Sequence, residues 1–226
     1  MTQQKLKAKA LLIDLDGTIV DSLEAFAEAA EIALSAIGSK QSHNNVGLEI
    51  ARHLQLNLPL DDFFDNANVD NDLREKFLTL FLQSFYKIAS SKTRLFPNVN
   101  KTLRRLSRKF LLALVTRRRV SKRLVEKELQ RLRLDQYFSA IITSLEVQRP
   151  TPFPDAILKA ANKLKVSVCD CVVISDSGVD IQAGKLAGAK TVAVLSGLFK
   201  KEELRKERPD LIIEDINRLP ELLLVV

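Results

Sequence analysis

The chain alternates short apolar runs with longer segments whose apolar residues recur every three or four positions. Short apolar runs bounded by polar residues predict buried strands, and the longer spacing predicts helices with one apolar face. Strands that alternate with helices favour right-handed β-α-β units and a parallel sheet. The predicted strands are 10–13, 111–116, 140–143, 171–175, 191–195 and 211–214, and the predicted helices are 98–108, 121–133, 154–165 and 180–187.

The segment from about residue 21 to residue 94 differs from the rest because it contains no convincing strand pattern. Its apolar residues recur at helical spacing, as at Leu23 and Phe26. We therefore predict an α/β core formed by residues 1–20 and 95–226, with a small all-helical domain, 21–94, inserted after the first strand.

The first predicted strand ends in two carboxylates, a glycine and a hydroxyl, the run Asp14-Leu15-Asp16-Gly17-Thr18. On extended backbone, residues two apart point to the same side, so Asp14 and Asp16 can bind a divalent cation together or divide nucleophile and acid-base roles. Gly17 allows the chain to turn sharply. Aspartate, glycine and threonine are also ordinary turn formers, so this motif by itself does not establish a site.

Two later strands also end in chemically active side chains. The second strand ends at Thr116 and meets Arg117, Arg118 and Arg119, and the strand 171–175 is followed by Asp176 and Asp180. Parallel strands end at one edge of a sheet, so these groups are expected to converge with Asp14 and Asp16. Carboxylates alone would repel one another and an anionic substrate, which predicts a hard cation between them, and Mg²⁺ suits phosphate chemistry best.

The motifs at these strand ends, and their order along the chain, resemble those of the haloacid dehalogenase superfamily of phosphotransferases. The resemblance is to the branch of phosphoglycolate phosphatase and beta-phosphoglucomutase. Asp14 to Thr18 looks like the first motif, Thr116 the second, and Asp176 with Asp180 the fourth. The resemblance covers nearly the whole chain. It implies a Rossmann-like parallel sheet with helices on both faces, and a helical cap, 21–94, that covers the site and selects the substrate.

The resemblance also implies roles for these residues. Asp14 would attack phosphorus and form an aspartyl-phosphate, and Asp16 would protonate the leaving oxygen and then activate water. The Asp14 carboxylate, the Asp16 backbone carbonyl and Asp176 would hold Mg²⁺, with Asp180 in support. Thr116 and nearby backbone amides would hold the phosphoryl oxygens.

One position departs from the family pattern, because Thr151 stands where a lysine normally opens the third motif. Loss of one such cation can cost on the order of hundredfold in rate. We hypothesise that an arginine replaces it in binding phosphate, with Arg149 as first candidate and Arg117 and Arg118 as the next. The alternative is that these arginines are solvated or contact the substrate.

The expected function is Mg²⁺-dependent hydrolysis of a small phosphorylated metabolite, of the phosphoglycolate phosphatase type. Two alternatives stay open. One is a sugar-phosphate mutase of the beta-phosphoglucomutase type. The other is a catalytically weakened relative that binds a polyanion through basic clusters at 104–109 and 117–123. The sequence identifies neither the phosphate ester nor the oligomeric state.

Composition adds further expectations. The 46% of hydrophobic residues can form a sizeable core, and the 35 basic and 28 acidic residues leave a net charge of +7, but no nucleic-acid motif is present and we expect no nucleic-acid partner. Because no apolar run is long enough to cross a bilayer and no signal peptide pattern is found, the expected location is cytoplasmic, away from membranes. Cys169 and Cys171 are expected to be reduced thiols, and His43 and His53 surface residues of the helical domain.

Overall fold

The chain divides into two compact units. One comprises Met1–Val20 and Leu95–Val226, and the other comprises Asp21–Arg94. These bounds coincide with those expected from the sequence, whereas the role of the smaller unit as a cap stays a prediction. The structure is a computed structural model, and it describes residues 5–39, 46–56, 58–66 and 69–226.

A six-stranded parallel sheet forms the centre of the larger unit. In chain order, the strands of the described residues are β1 (Leu6–Ala8), β2 (Ala10–Ile13), β3 (Val20–Asp21), β4 (Arg94–Leu95), β5 (Leu111–Thr116), β6 (Ala140–Thr143), β7 (Cys171–Ser175), β8 (Lys190–Val194), β9 (Leu211–Ile213) and β10 (Leu223–Val225). The order across the central sheet is β6-β5-β2-β7-β8-β9, and every neighbouring pair is parallel. The prediction of a parallel α/β core is confirmed.

Helices follow the strands of the larger unit and make up most of the smaller one. They are α1 (Leu23–Ala36), α2 (Val46–Leu56), α3 (Asp61–Asn66), α4 (Asn71–Lys92), α5 (Val99–Leu106), α6 (Lys122–Arg131), α7 (Asp155–Leu164), α8 (Gly178–Ala187), α9 (Lys201–Lys206) and α10 (Leu219–Leu222). Short 3-10 turns lie at Asp135–Tyr137, Ser144–Glu146, Val168–Asp170 and Ile216–Arg218. The four predicted helices are confirmed, with ends that differ by at most two residues.

The core on one face of the sheet shows why β2 occupies a fixed position. Alternate residues of β2 and β7, among them Leu12 and Val173, pack in one buried cluster with the apolar side of α7, as at Ile157. Strand residues two apart share a face, which accounts for this selection. Ile13 at the end of β2 is in register with Leu114 of β5 and Ile174 of β7. The residues that follow Ile13 therefore leave a rigid, doubly flanked strand.

The beginning of the larger unit contains a strand that is absent from the predicted set. Leu6 and Ala8 are buried in β1, which pairs in parallel with β10. The partner strand lies at the other end of the chain, so no local pattern indicated this two-stranded sheet.

The smaller unit has its own aromatic core. Phe26 of α1 stacks on Phe85 of α4 with ring centroids 4.3 Å apart, and Phe77 packs edge-on to Phe64 at 5.5 Å. Arg74 of α4 forms ion pairs with two aspartates of α3. None of the helices in the described ranges combines the length and apolar character that crossing a membrane requires.

Among the described residues, no group of three or more histidine, cysteine or carboxylate side chains could hold a metal ion, so His53 and the two cysteines belong to no such group. His43 lies outside the described residues, and His53 is half-buried, with Nδ1 2.7 Å from the carbonyl oxygen of Pro59. Cys169 is exposed, Cys171 is buried, and neither forms a disulfide. Burial raises the pKa of the Cys171 thiol to about 11, so this thiol is neutral at pH 7.

Candidate active site

The loop after β2 is closed by its own backbone. Asp14 continues the sheet by donating its N–H to Ile174 at 2.9 Å, and the Gly17 N–H donates to the Val20 carbonyl at 2.8 Å. Gly17 has φ of 78°, and a Cβ there would lie 2.3 Å from Asp176 Oδ2. A glycine is therefore required both by the backbone conformation and by the close approach of a carboxylate.

The segment after β7 brings two more of the predicted carboxylates, Asp176 and Asp180, to Asp14 at the start of this loop. Ser175 Oγ lies 2.9 Å from Asp180 Oδ2 and 3.4 Å from Asp14 Oδ2, within reach to donate to either oxygen. The Asp176 N–H donates to Thr18 Oγ1 at 3.1 Å. Asp14, Asp176 and Asp180 thus gather at the carboxyl edge of the sheet, where the strand ends were expected to meet.

Burial makes this carboxylate cluster electrostatically costly. Burial, followed by the charges of Asp180 and Asp176, raises the pKa of Asp14 well above its ordinary value. Burial likewise raises the pKa of Asp176 to about 7, although Arg117 and the Leu198 N–H act in the opposite direction. The raised pKa of both groups therefore shows that burial, more than neighbouring charge, disfavours their ionised forms, and a bound cation would compensate that charge.

Arg117 is the arginine that faces the cluster. Its Nε lies 3.6 Å from Asp180 Oδ2, and its side chain is 20% exposed. Its charge opposes the rise in the pKa of both Asp14 and Asp176. Thr116, immediately before it, is buried at the end of β5, and Thr116 Oγ1 accepts from the Arg118 N–H at 3.3 Å.

The first candidate for the missing lysine lies elsewhere. Arg149 donates to both carboxylate oxygens of Asp155, at 3.2 and 3.0 Å, and its guanidinium carbon lies 4.9 Å from the ring centre of Phe153. Its side chain is 60% exposed, whereas Thr151 is buried. The described contacts of Arg149 are thus local, because a carboxylate six residues away already pairs with it. They do not support our first candidate.

Arg118 contacts two carboxylates other than the three of this cluster. Its guanidinium forms a two-point contact with the Asp16 carboxylate and also pairs with Glu128 of α6. The two neighbouring arginines therefore face different carboxylates.

Comparison with known proteins identifies the family. Residues 11–194 match the family model described as haloacid dehalogenase-like hydrolase. The chain belongs to this family. It is 29% identical over 219 residues to a phosphoglycolate phosphatase of Pseudomonas putida, covering 93% of this chain and 78% of that protein. It is 31% identical over 234 residues to a phosphoglycolate phosphatase of Shigella boydii, covering 93% and 90%.

A solved relative agrees in fold. A crystal structure of a predicted phosphoglycolate phosphatase from Haemophilus somnus superposes with a TM-score of 0.80 at 25% identity, covering 96% of this chain and 98% of that one. Together with the family match, these relatives confirm that this haloacid dehalogenase-like protein is a hydrolase of the phosphatase class.

The loop after β8 completes the surroundings of Asp176 in this hydrolase. The Leu198 N–H donates to Asp176 Oδ2 at 3.2 Å, and Ser196 Oγ donates to the Gly17 carbonyl at 2.7 Å. A Cβ on Gly197 would lie 1.8 Å from Asp176 Oδ2, so this glycine is also required by close approach. Among the described residues, Asp176 Oδ1 is buried without a hydrogen-bond partner.

The donor set fits Mg²⁺. Carboxylate and carbonyl oxygens are the ligands that this ion prefers, and Asp176 Oδ1 is left available for one. In the part of the chain that the structure describes, no group of three or more histidine, cysteine or carboxylate side chains forms a metal site. The implied set does not need one, since it uses two carboxylates and the Asp16 backbone carbonyl.

Several residues of the site were missed from the sequence. Ser175 and the loop 196–198 follow the same rule as Asp14, since they lie at strand ends on one edge of the sheet, and that signal could have identified them. Glu128 interrupts the apolar side of α6 between Val125 and Leu129, and a glutamate there indicates a buried partner.

Proposed function

We propose that the protein is a Mg²⁺-dependent phosphomonoesterase that works through an aspartyl-phosphate on Asp14. One observation carries the proposal. Asp14, at the carboxyl end of a central strand, is buried beside Asp176 and Asp180, with Arg117 opposing their charge. Such a cluster has a chemical use if a cation and an anionic phosphoryl group complete it.

The proposed reaction has two displacements at phosphorus. In the first, an Asp14 carboxylate oxygen bonds to phosphorus while the ester oxygen departs and takes a proton from Asp16. In the second, Asp16 removes a proton from water, the water oxygen bonds to phosphorus, the bond between phosphorus and the Asp14 oxygen breaks, and inorganic phosphate leaves. Asp14 is thereby restored as a carboxylate.

The remaining residues bind and orient the phosphoryl group. The Asp14 carboxylate, the Asp16 carbonyl and Asp176 would hold Mg²⁺, while Asp180 supports them through Ser175. The bound ion supplies the positive charge that lets an anionic ester approach these carboxylates. Thr116 and Arg117 would hold the phosphoryl oxygens, and Arg117 would provide the charge that Thr151 lacks.

For the substrate, we propose a small phosphorylated acid of the phosphoglycolate type, on the support of the two similar phosphatases. The same relatives give no support to the sugar-phosphate mutase alternative. The polyanion-binding alternative loses support because Arg117 and Arg118 of its second basic cluster are turned onto carboxylates. Release of inorganic phosphate, rather than an isomerised sugar phosphate, would distinguish hydrolase from mutase.

The first experiment measures phosphate release from a panel of small phosphate esters, including phosphoglycolate, with and without Mg²⁺. We expect release that requires Mg²⁺, and a loss of at least about thousandfold in Asp14→Asn because an amide is not a nucleophile. Equal release by wild type and Asp14→Asn would show that Asp14 is not the nucleophile.

A matched pair of variants tests the arginine assignment in the same assay. Arg117→Met is expected to lower kcat/KM by about hundredfold through loss of phosphoryl charge stabilisation. Arg149→Met, which removes an exposed arginine paired with Asp155, is expected to retain wild-type activity. The reverse result would return the role to Arg149.

A further inference from the structure

Both oxygens of the Asp16 carboxylate are held by one side chain. Arg118 Nε donates to Asp16 Oδ2 at 2.7 Å, and Arg118 Nη2 donates to Asp16 Oδ1 at 2.7 Å. A planar guanidinium in this forked contact defines the plane of the carboxylate as well as its distance. A single-point donor such as lysine would leave the carboxylate free to rotate.

Arg118 is itself held in place by a second carboxylate. Its third nitrogen, Nη1, pairs with Glu128 of α6, and the two side chains are 7% and 5% exposed. Burial disfavours the charged guanidinium, but Asp16 and Glu128 outweigh this effect and raise the pKa of Arg118 above its ordinary value. Arg118 is therefore a permanent cation between two carboxylates.

The backbone of Arg118 is also tied to the sheet. Its N–H donates to Thr116 Oγ1 at 3.3 Å, and its carbonyl accepts from the Ser144 N–H at 3.3 Å. The ends of β5 and β6 thus fix the position of Arg118. Through Arg118, they also fix the orientation of Asp16, which lies in a loop. Buried ion pairs contribute little net stability, so orientation is a better account of this arrangement than folding energy.

We propose that Arg118 is a positioning residue whose forked guanidinium, braced by Glu128, sets the orientation of the Asp16 carboxylate toward the reacting phosphoryl group. The inference rests on the proposed function, in which Asp16 moves the protons of both displacements. Arg118 would touch neither substrate nor phosphoryl group.

The test measures kcat, KM and pre-steady-state bursts for Arg118→Met, Arg118→Lys and Glu128→Gln. With misoriented Asp16, kcat is expected to fall by about hundredfold in Arg118→Met and about tenfold in Arg118→Lys, with KM nearly unchanged. With p-nitrophenyl phosphate, whose leaving group departs without a proton, the burst is expected to survive while turnover falls. Glu128→Gln is expected to lose several-fold in kcat.

Matched controls separate position from charge. Arg123→Met and Glu126→Gln make the same chemical changes at two α6 positions outside the contacts of Asp16, Arg118 and Glu128, and both are expected to retain wild-type kcat. Because Arg118→Met leaves two buried carboxylates unpaired, the double variant Arg118→Met/Glu128→Gln is measured beside it. Its turnover is expected to stay as low as that of Arg118→Met.

The outcomes distinguish this inference from the proposed function. Wild-type kcat in folded Arg118→Met overturns the positioning role and leaves the phosphatase proposal intact. Loss of the burst in folded Arg118→Lys also overturns it, since Arg118 would then serve the nucleophile. A wild-type protein that releases no phosphate with Mg²⁺ would instead refute the proposed function.

Discussion

Asp176 shows how one residue couples protonation to cation binding. Its side chain is 1% exposed, its Oδ2 accepts from the Leu198 N–H, and burial raises the pKa of its carboxyl to about 7. A buried carboxylate needs either a proton or a cation to compensate its charge. Protons and Mg²⁺ should therefore compete for Asp176.

This competition predicts that the stabilising effect of Mg²⁺ on the fold increases with pH. Because the pKa of Asp176 is about 7 in the fold against 3.8 ordinarily, its protonation stabilises the metal-free fold, fully at low pH, and this contribution is lost as pH rises through 7. Mg²⁺ binds the ionised form, so the rise in Tm that it causes should be larger at about pH 8 than at about pH 6.

Scanning calorimetry with and without Mg²⁺ at several pH values checks this prediction. Asp176→Asn should lose the Mg²⁺ effect at every pH, whereas Asp62→Asn, at an exposed position of α3, should behave as wild type. A Mg²⁺-induced shift in Tm of the same size at low and high pH would contradict the competition.

At the scale of elements, α8 determines where Asp180 lies. The helix begins directly after the β7 loop and packs against β7 and β8, and Asp180 is in its first turn. The contact is close at Gly184, where a Cβ would lie 2.8 Å from Thr191 Cγ2 and 3.0 Å from Val173 Cγ2. Both neighbours are branched side chains of buried strands, so they have little freedom to move.

Two glycine-to-alanine substitutions in α8 are therefore expected to differ. Alanine gains helix propensity, about 1 kcal/mol, at Gly184 in the helix interior, and gains less at Gly178, the first residue of the helix. Gly184→Ala should nevertheless lower the free energy of unfolding by about 1–3 kcal/mol because its methyl group overpacks the contact with the sheet. Gly178→Ala, whose Cβ would first meet the flexible Glu207 side chain at 3.1 Å, should be at least as stable as wild type.

Urea denaturation of both variants measures the difference. Equal free energies of unfolding for Gly184→Ala and Gly178→Ala would show that α8 shifts away from the sheet at no cost, contrary to this packing argument.

At the scale of the whole molecule, the larger unit is built from two separate stretches of chain. It contains the central sheet, its core and all the residues proposed for the active site. The stretches meet where the Phe96 N–H donates to the Ile19 carbonyl at 3.1 Å. A short connection could therefore join them without residues 21–94.

We expect a chain in which a glycine linker replaces residues 21–94 to fold cooperatively, since a unit with its own core can fold alone. Far-UV circular dichroism during heating should show one transition, and Mg²⁺ should raise its Tm. The same excision combined with Leu12→Asp, which places a charge in the core, should abolish the transition. An unfolded spectrum for the excised chain alone would disprove the independence of the unit.

The pattern of apolar and polar residues determined those features of this protein that depend on residues close together in the sequence. The strands 111–116 and 140–143 were predicted with the bounds that the structure has, because apolar runs between polar residues specify buried strands. The convergence of Asp14 and Asp176 was also predicted, since parallel strands end at one edge of a sheet. The sequence alone was enough to predict the parallel sheet, the family resemblance and the acidic residues of the candidate site.

Only the tertiary structure decided which cation faces which carboxylate. Arg117 and Arg118 are chemically identical neighbours in the sequence, yet one faces Asp180 and the other clamps Asp16, a residue 102 positions away. Arg149 is paired locally with Asp155. Sequence pattern determines where strands and helices lie, whereas the partner of a long charged side chain depends on groups that folding brings near it.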